Sequence, residues 1–141
     1  MKILIVDDDP IVREILNQML KPYGECTKID SGAKAFVEYT NSIKSGSPYK
    51  LILLDIVMHF NNNDFLDSFS DQNMDGILLL DKIRKLEDEH HIPAEDRAYI
   101  FMVTSRNDEE TIKMAKHYGC NEYITKPLDK THLASLLQKI K

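Results

Sequence analysis

Five polar residues stand out by type and by what precedes them. Asp7 and Asp8 follow the apolar run at residues 2–6, Asp55 follows Leu51-Ile52-Leu53-Leu54, Thr104 follows residues 99–103, and Lys126 follows residues 122–125. Three carboxylates, a hydroxyl and an ammonium brought to one place suit phosphoryl transfer to a carboxylate. That reaction needs an oxygen nucleophile in line and charges that neutralise the phosphoryl oxygens. Like charges about 4 Å apart repel by about 4 kcal/mol at an effective dielectric of about 20. A cluster of Asp7, Asp8 and Asp55 therefore calls for a cation. Oxygen-only ligands favour a hard ion, and one or two carboxylates plus water suit Mg²⁺. Asp55 is the candidate nucleophile, Asp7 and Asp8 the candidate metal ligands, and Lys126 and Thr104 the groups that would grip phosphoryl oxygens. Asp9 reads differently: with Pro10 behind it, it is placed as a helix N-cap.

These residues converge only if the right elements carry them. Apolar runs at 2–6, 51–54 and 99–103 read as parallel strands covered on both faces. Residues 25–30 and 122–125 are weaker strands. Between them, apolar residues recur at helical spacing. Ile11, Val12, Ile15, Leu16, Met19 and Leu20 make the first helical face. Ala33, Phe36, Val37 and Thr40 make the second, after a Ser31 cap. Ile77, Leu80 and Ile83 make the third. The fourth helix is expected to start at Asn107 with Glu110 as a capping box. The fifth, from Asp129, carries Leu133, Leu136, Leu137 and Ile140. The charged stretch 82–91 reads as the wet face of the third helix. Five strands alternating with five helices predict one α/β domain over 1–141, a parallel sheet with helices on both faces. Ligands of such sheets sit beyond the carboxyl ends of the strands, where the five polar residues stand.

Composition narrows the field. The chain has 141 residues, 43% hydrophobic and 29% charged, with a formal net charge of -5. Mild acidity argues against direct DNA binding, which needs clustered Lys and Arg. No apolar run approaches the roughly 18 residues that span a bilayer. No signal-peptide pattern opens the chain. Cys26 and Cys120 lack a metal or redox spacing and read as reduced thiols in a cytoplasmic protein. No GxGxxG follows the first strand, which excludes a dinucleotide enzyme.

At these residues the sequence resembles the receiver domain of two-component response regulators. The matching segments are ILIVDDDP (3–10), LILLDIVM (51–58), MDG (74–76), MVTS (102–105) and EYITKP (122–127). The resemblance implies a flavodoxin-like doubly wound five-stranded sheet and a chemotaxis-regulator-like protein with no output domain of its own. It makes Asp55 the phosphoacceptor and Asp7 and Asp8 the acidic pair. The backbone carbonyl of Val57 becomes a further ligand of Mg²⁺. Thr104 is the switch hydroxyl, Lys126 the phosphoryl-binding lysine, and Tyr123 an aromatic switch that turns inward as Thr104 moves. It also implies a cis Lys126-Pro127 bond. The phosphoryl donor would be a histidine kinase or a histidine phosphotransfer protein. The face made by helix four, strand five and helix five would meet an unidentified downstream protein or a second copy of the chain.

The sequence departs from that family after Met58, where residues 59–73 intervene and lengthen the loop by about a dozen residues. Loops of that length are uncommon and tend to be functional or disordered. The segment reads first as a mobile surface loop, and its Phe65, Leu66 and Phe69 offer the sharper alternative of a lid or docking element beside Asp55. Val57 and Arg106 occupy the positions, two after the acceptor and two after the threonine, that often tune dephosphorylation in the family. Valine cannot orient water by hydrogen bonding, so slow self-dephosphorylation is expected. The same valine argues against an aspartyl-nucleophile hydrolase, which usually carries a second Asp there. A degenerate, binding-only receiver would generally lack the acceptor or the lysine, and both are present.

Overall fold

The computed structural model describes residues 1–57 and 75–140. The strands are β1 (Lys2–Val6), β2 (Glu25–Ile29), β3 (Leu51–Leu54), β4 (Tyr99–Thr104) and β5 (Glu122–Thr125). The helices are α1 (Pro10–Leu20), α2 (Gly32–Lys44), α3 (Asp75–Glu89), α4 (Glu109–His117) and α5 (Lys130–Leu137). All neighbouring strands are parallel, in the order β2-β1-β3-β4-β5. The expected five-stranded, five-helix architecture is therefore present. The insertion at 59–73 lies outside the described residues.

Side-chain alternation along the strands divides the core into two layers. Ile3, Ile5, Leu51, Leu53, Phe101 and Val103 pack with Leu16 and Leu20 of α1 and Leu133, Leu136 and Leu137 of α5. Leu4, Val6, Ile52, Leu54, Ile100 and Met102 pack with Ala35 and Tyr39 of α2, the apolar face of α3 and Ala115 of α4. Each such side chain contributes about 1.5–3 kcal/mol by leaving water. Because both faces are apolar, side-chain shape against α1 and α5 on one side and α2, α3 and α4 on the other, rather than a polar alternation, sets the register.

Helix starts follow local chemistry. Asp9 accepts the Ile11 N–H at 2.9 Å, with Pro10 at the first helical position. Ser31 caps α2 and Asp129 caps α5, as expected. The fourth helix corrects the sequence reading: its cap is Asp108, not Asn107. The Asp108 carboxylate accepts both the Thr111 N–H (3.1 Å) and its hydroxyl (2.6 Å), two bonds that a box from Asn107 would not make. Two helical faces also differ from expectation. The inner residues of α2 are Ala35, Tyr39 and Ser42, whereas Val37 is 58% exposed. On α1, Leu16 and Leu20 are buried while Ile11 and Ile15 stay exposed. The stretch 82–91 is not uniformly wet: Ile83, Leu86 and Glu87 are buried, Glu87 completely.

Candidate functional site

β1 and β3 lie side by side, with Val6 paired to Leu54. The chain runs outward from β1 to β2 on one side and resumes at β3 on the other, so the crevice of a doubly wound sheet opens between their carboxyl ends. Asp7 and Asp55 are the next residues on the two strands, tied by the Asp55 N–H to the Val6 carbonyl at 3.1 Å. Both carboxylates are buried, Asp7 to 1% and Asp55 to 6% exposure, while Asp8 is exposed. One oxygen from each of Asp7, Asp8 and Asp55 lies within 4.8 Å of the other two.

Lys126, brought by the β5–α5 connection, donates to Asp7 Oδ2 at 3.0 Å and to Asp55 Oδ2 at 3.1 Å. The Lys126-Pro127 bond is cis. Asp7 Oδ1 accepts the Asp9 N–H at 2.9 Å, and Asp55 Oδ1 accepts the Val57 N–H at 3.1 Å. Burial raises the Asp7 carboxyl above its ordinary range, the Asp9 hydrogen bond opposes it, and the charge of Asp55 adds to the rise. Burial works against the Lys126 ammonium, but the charges of Asp55 and Asp7 together outweigh it and raise its pKa. One ammonium thus serves two buried carboxylates, and the pocket favours any further positive charge. Its donors are all oxygens, converging at a spacing that a small hard cation bridges; this set fits Mg²⁺ rather than a sulfur- or imidazole-loving ion.

The other expected site residues form a second layer. Thr104 ends β4, fully buried, and its hydroxyl accepts the Arg106 N–H at 3.3 Å. The half-buried Tyr123 on β5 donates its hydroxyl to the Arg106 carbonyl at 2.6 Å. Burial raises the Tyr123 phenol to about 12, so it stays a donor at neutral pH. Thr104 and Tyr123 therefore meet through the Arg106 backbone, at the entry to α4.

Two neighbours of the site were not picked out by sequence reasoning. A Cβ on Gly76 would strike the Asp55 carbonyl and lie 2.5 Å from Ile56 Cα; its own N–H reaches the Ile56 carbonyl at 2.9 Å. Only glycine lets α3 begin this close to the acceptor loop. Arg13 of α1 donates to the Asp7 carbonyl at 2.7 Å. The glycine had a signal in its motif; the arginine, one cation on a helix, had none.

Fold and site together define a class: a flavodoxin-like α/β domain with a lysine-bridged acidic pocket at the point where strand order reverses. Within it, the chain belongs to the response regulator receiver domain family, whose model matches residues 3–138. It is 31% identical to the chemotaxis protein CheY-3 of Vibrio cholerae, covering 99% of this chain and 91% of that one. It is also 30% identical to the hybrid signal transduction histidine kinase L of Dictyostelium discoideum, covering 98% of this chain but 7% of the kinase. The solved CheX-CheY-BeF3-Mg²⁺ complex of Borrelia burgdorferi shares the fold, with a TM-score of 0.73 at 23% identity, covering 99% of this chain and 88% of that one. The chain is thus a receiver of two-component signalling, a class of phosphoacceptor switches that meet histidine kinases and downstream targets. Among the described residues, no helix is long and apolar enough to cross a membrane.

Proposed function

We propose that this receiver accepts a phosphoryl group on Asp55, with Mg²⁺ held by Asp7, Asp8, Asp55 and the Val57 carbonyl. The observation that carries the reading is the convergence of three carboxylate oxygens within 4.8 Å, two of the carboxylates sharing Lys126. A carboxylate oxygen of Asp55 attacks phosphorus, and the bond to the donor's leaving group breaks as the acyl phosphate forms. For a phosphohistidine donor, on a kinase or phosphotransfer protein, the leaving group is the imidazole nitrogen. Lys126 is placed to exchange a carboxylate bond for one to a phosphoryl oxygen. The bound cation supplies charge neutralisation for the phosphoryl oxygens.

The switch runs through the second layer. The new group brings up to about two negative charges and three acceptor oxygens. The Thr104 hydroxyl turns towards one of them and gives up the Arg106 N–H. Tyr123 is bonded to the same residue's carbonyl, so the β4–α4 loop and the face made by α4, β5 and α5 rearrange together. That face then binds a downstream protein or a second copy, in the cytoplasm and without direct contact to DNA. Val57, whose side chain has no hydrogen-bonding group, leaves the acyl phosphate slow to hydrolyse.

The test is incubation with Mg²⁺ and a small phosphodonor, followed by intact mass. A gain of about 80 Da, the mass of one phosphoryl group, is expected for the wild type and not for Asp55→Asn. A gain retained by Asp55→Asn, or absent from the wild type, would sink the assignment.

A further inference from the structure

We infer that Arg13 is the positioning residue for the metal-binding carboxylates: its guanidinium fixes the Asp7–Asp8 peptide so that both acidic side chains face the cation. The inference rests on the Mg²⁺ reading above and extends it to a residue with no oxygen to offer the ion.

Asp7 is held from four directions. Its N–H donates to the Ile29 carbonyl of β2 at 3.2 Å. Its two carboxylate oxygens accept from the Asp9 N–H and from Lys126. Its carbonyl accepts from Arg13 Nη1 at 2.7 Å. The first bond aligns the strand end, and the next two aim the Asp7 side chain. The fourth acts on the peptide joining Asp7 to Asp8. That unit is planar, so holding its C=O also holds the N–H and Cα of Asp8, and with them the direction in which the Asp8 carboxylate leaves the chain.

Arg13 is itself rigidly based. It sits one turn into α1, its N–H bonded to the carbonyl of the capping Asp9 at 3.0 Å, and it is half-buried. The bond is charge-assisted and short, the stronger kind. The cap of α1, the turn and the guanidinium thus close a loop around the acidic pair, built entirely from residues 7–13.

Charge and position predict opposite signs, which makes the inference sharp. As a mere positive charge near the pocket, Arg13 repels a divalent cation, and its removal would tighten binding. As the residue that aims Asp8, it favours binding, and its removal weakens it. Partners that orient metal ligands typically account for about 10- to 100-fold in affinity.

The experiment is a Mg²⁺ titration of the whole ¹⁵N-labelled protein without phosphodonor, read by backbone amide shifts, with thermal melting in EDTA alongside. Arg13→Met keeps the apolar stem and removes donor and charge. It is expected to weaken Mg²⁺ binding by about 10- to 100-fold while staying folded in EDTA, with a lower melting temperature from the lost bond. Arg13→Lys, which restores a donor on a slightly shorter stem, is expected to recover most of the loss. If Arg13→Met does not fold, Arg13→Gln is read the same way, its amide being too short to reach the carbonyl. Unchanged or tighter Mg²⁺ binding by the variant, beside a wild type that binds, overturns the role of Arg13 alone. A wild type that does not bind Mg²⁺ overturns the metal reading and this inference with it.

Discussion

The two ends of the sheet both bury charge, with opposite outcomes. At the carboxyl edge, one ammonium is shared by Asp7 and Asp55, and a third carboxylate joins them within 4.8 Å. At the amino edge, the fully buried Glu87 accepts from Arg84 (2.8 Å), the Tyr39 hydroxyl (2.7 Å) and the Ala98 N–H (2.9 Å). Arg84 also donates to the carbonyls of Ala98 and Gly119 and to the Asn121 side chain, so each of its five N–H groups has a bond. The second network joins α2, α3, β4 and the turn before β5, and is internally saturated. A saturated network has nothing to offer a ligand and acts as a staple; the crowded acidic one is completed by a cation. Buried charge alone does not mark a site. What marks it is an excess of one sign.

Breaking the staple should give the largest effect on stability. Glu87→Ala leaves a guanidinium, a phenol and a backbone N–H without their shared acceptor, and loss of one partner of a buried ion pair costs about 3–5 kcal/mol. Urea unfolding should report that loss, while the folded fraction still gains mass from a phosphodonor. If stability is unchanged, the network is not what joins these elements.

Gly76→Ala tests the other end through packing rather than charge. The added methyl meets backbone of the acceptor loop, and overpacking of this kind costs about 1–3 kcal/mol. Because the displaced atoms belong to Asp55 and Ile56, phosphorylation should slow as well. A variant that loses stability but phosphorylates at the wild-type rate would show that α3 does not hold the acceptor in place.

The smallest effects lie in pH, where two carboxylates should act with opposite sign. Asp7 has a raised pKa in the metal-free fold. Between the unfolded value near 3.8 and its higher folded value, the native state binds more protons, so its contribution to stability falls as pH rises through that window. Asp7→Asn should therefore melt higher than the wild type in EDTA at neutral pH, and Mg²⁺ should stabilise the wild type more as pH increases. Asp108 is the reverse. Hydrogen bonding to the Thr111 hydroxyl, and then to its N–H and Arg106, lowers its carboxyl to about 2. Its capping contribution is present above 3.8 and fades as pH falls towards 2. Melting curves of Asp108→Asn against wild type should converge below that range. A common slope for both residues would erase the contrast between pocket and cap.

Much of this was legible in the chain before any coordinates. Apolar runs of strand length, each ending on a polar residue, and helical spacing between them dictate a parallel sheet. A parallel sheet, because all its strands run in one direction, collects those strand ends at one edge. Asp7, Asp8, Asp55 and Lys126 therefore came together by topology, with Thr104 at the end of β4 in the layer behind them, because local periodicity and a general connection rule suffice. Caps at Asp9, Ser31 and Asp129 were equally local. Tertiary structure decided what depends on distant pairs. Charged Glu87 became core because Arg84, Tyr39 and Ala98 close around it, Val37 turned outward because Ala35 and Tyr39 fill the α2 interface, and Arg13 gained its role from a carbonyl six residues back. A charged side chain looks the same in sequence whether water or a buried partner will satisfy it; only the fold supplies the partner.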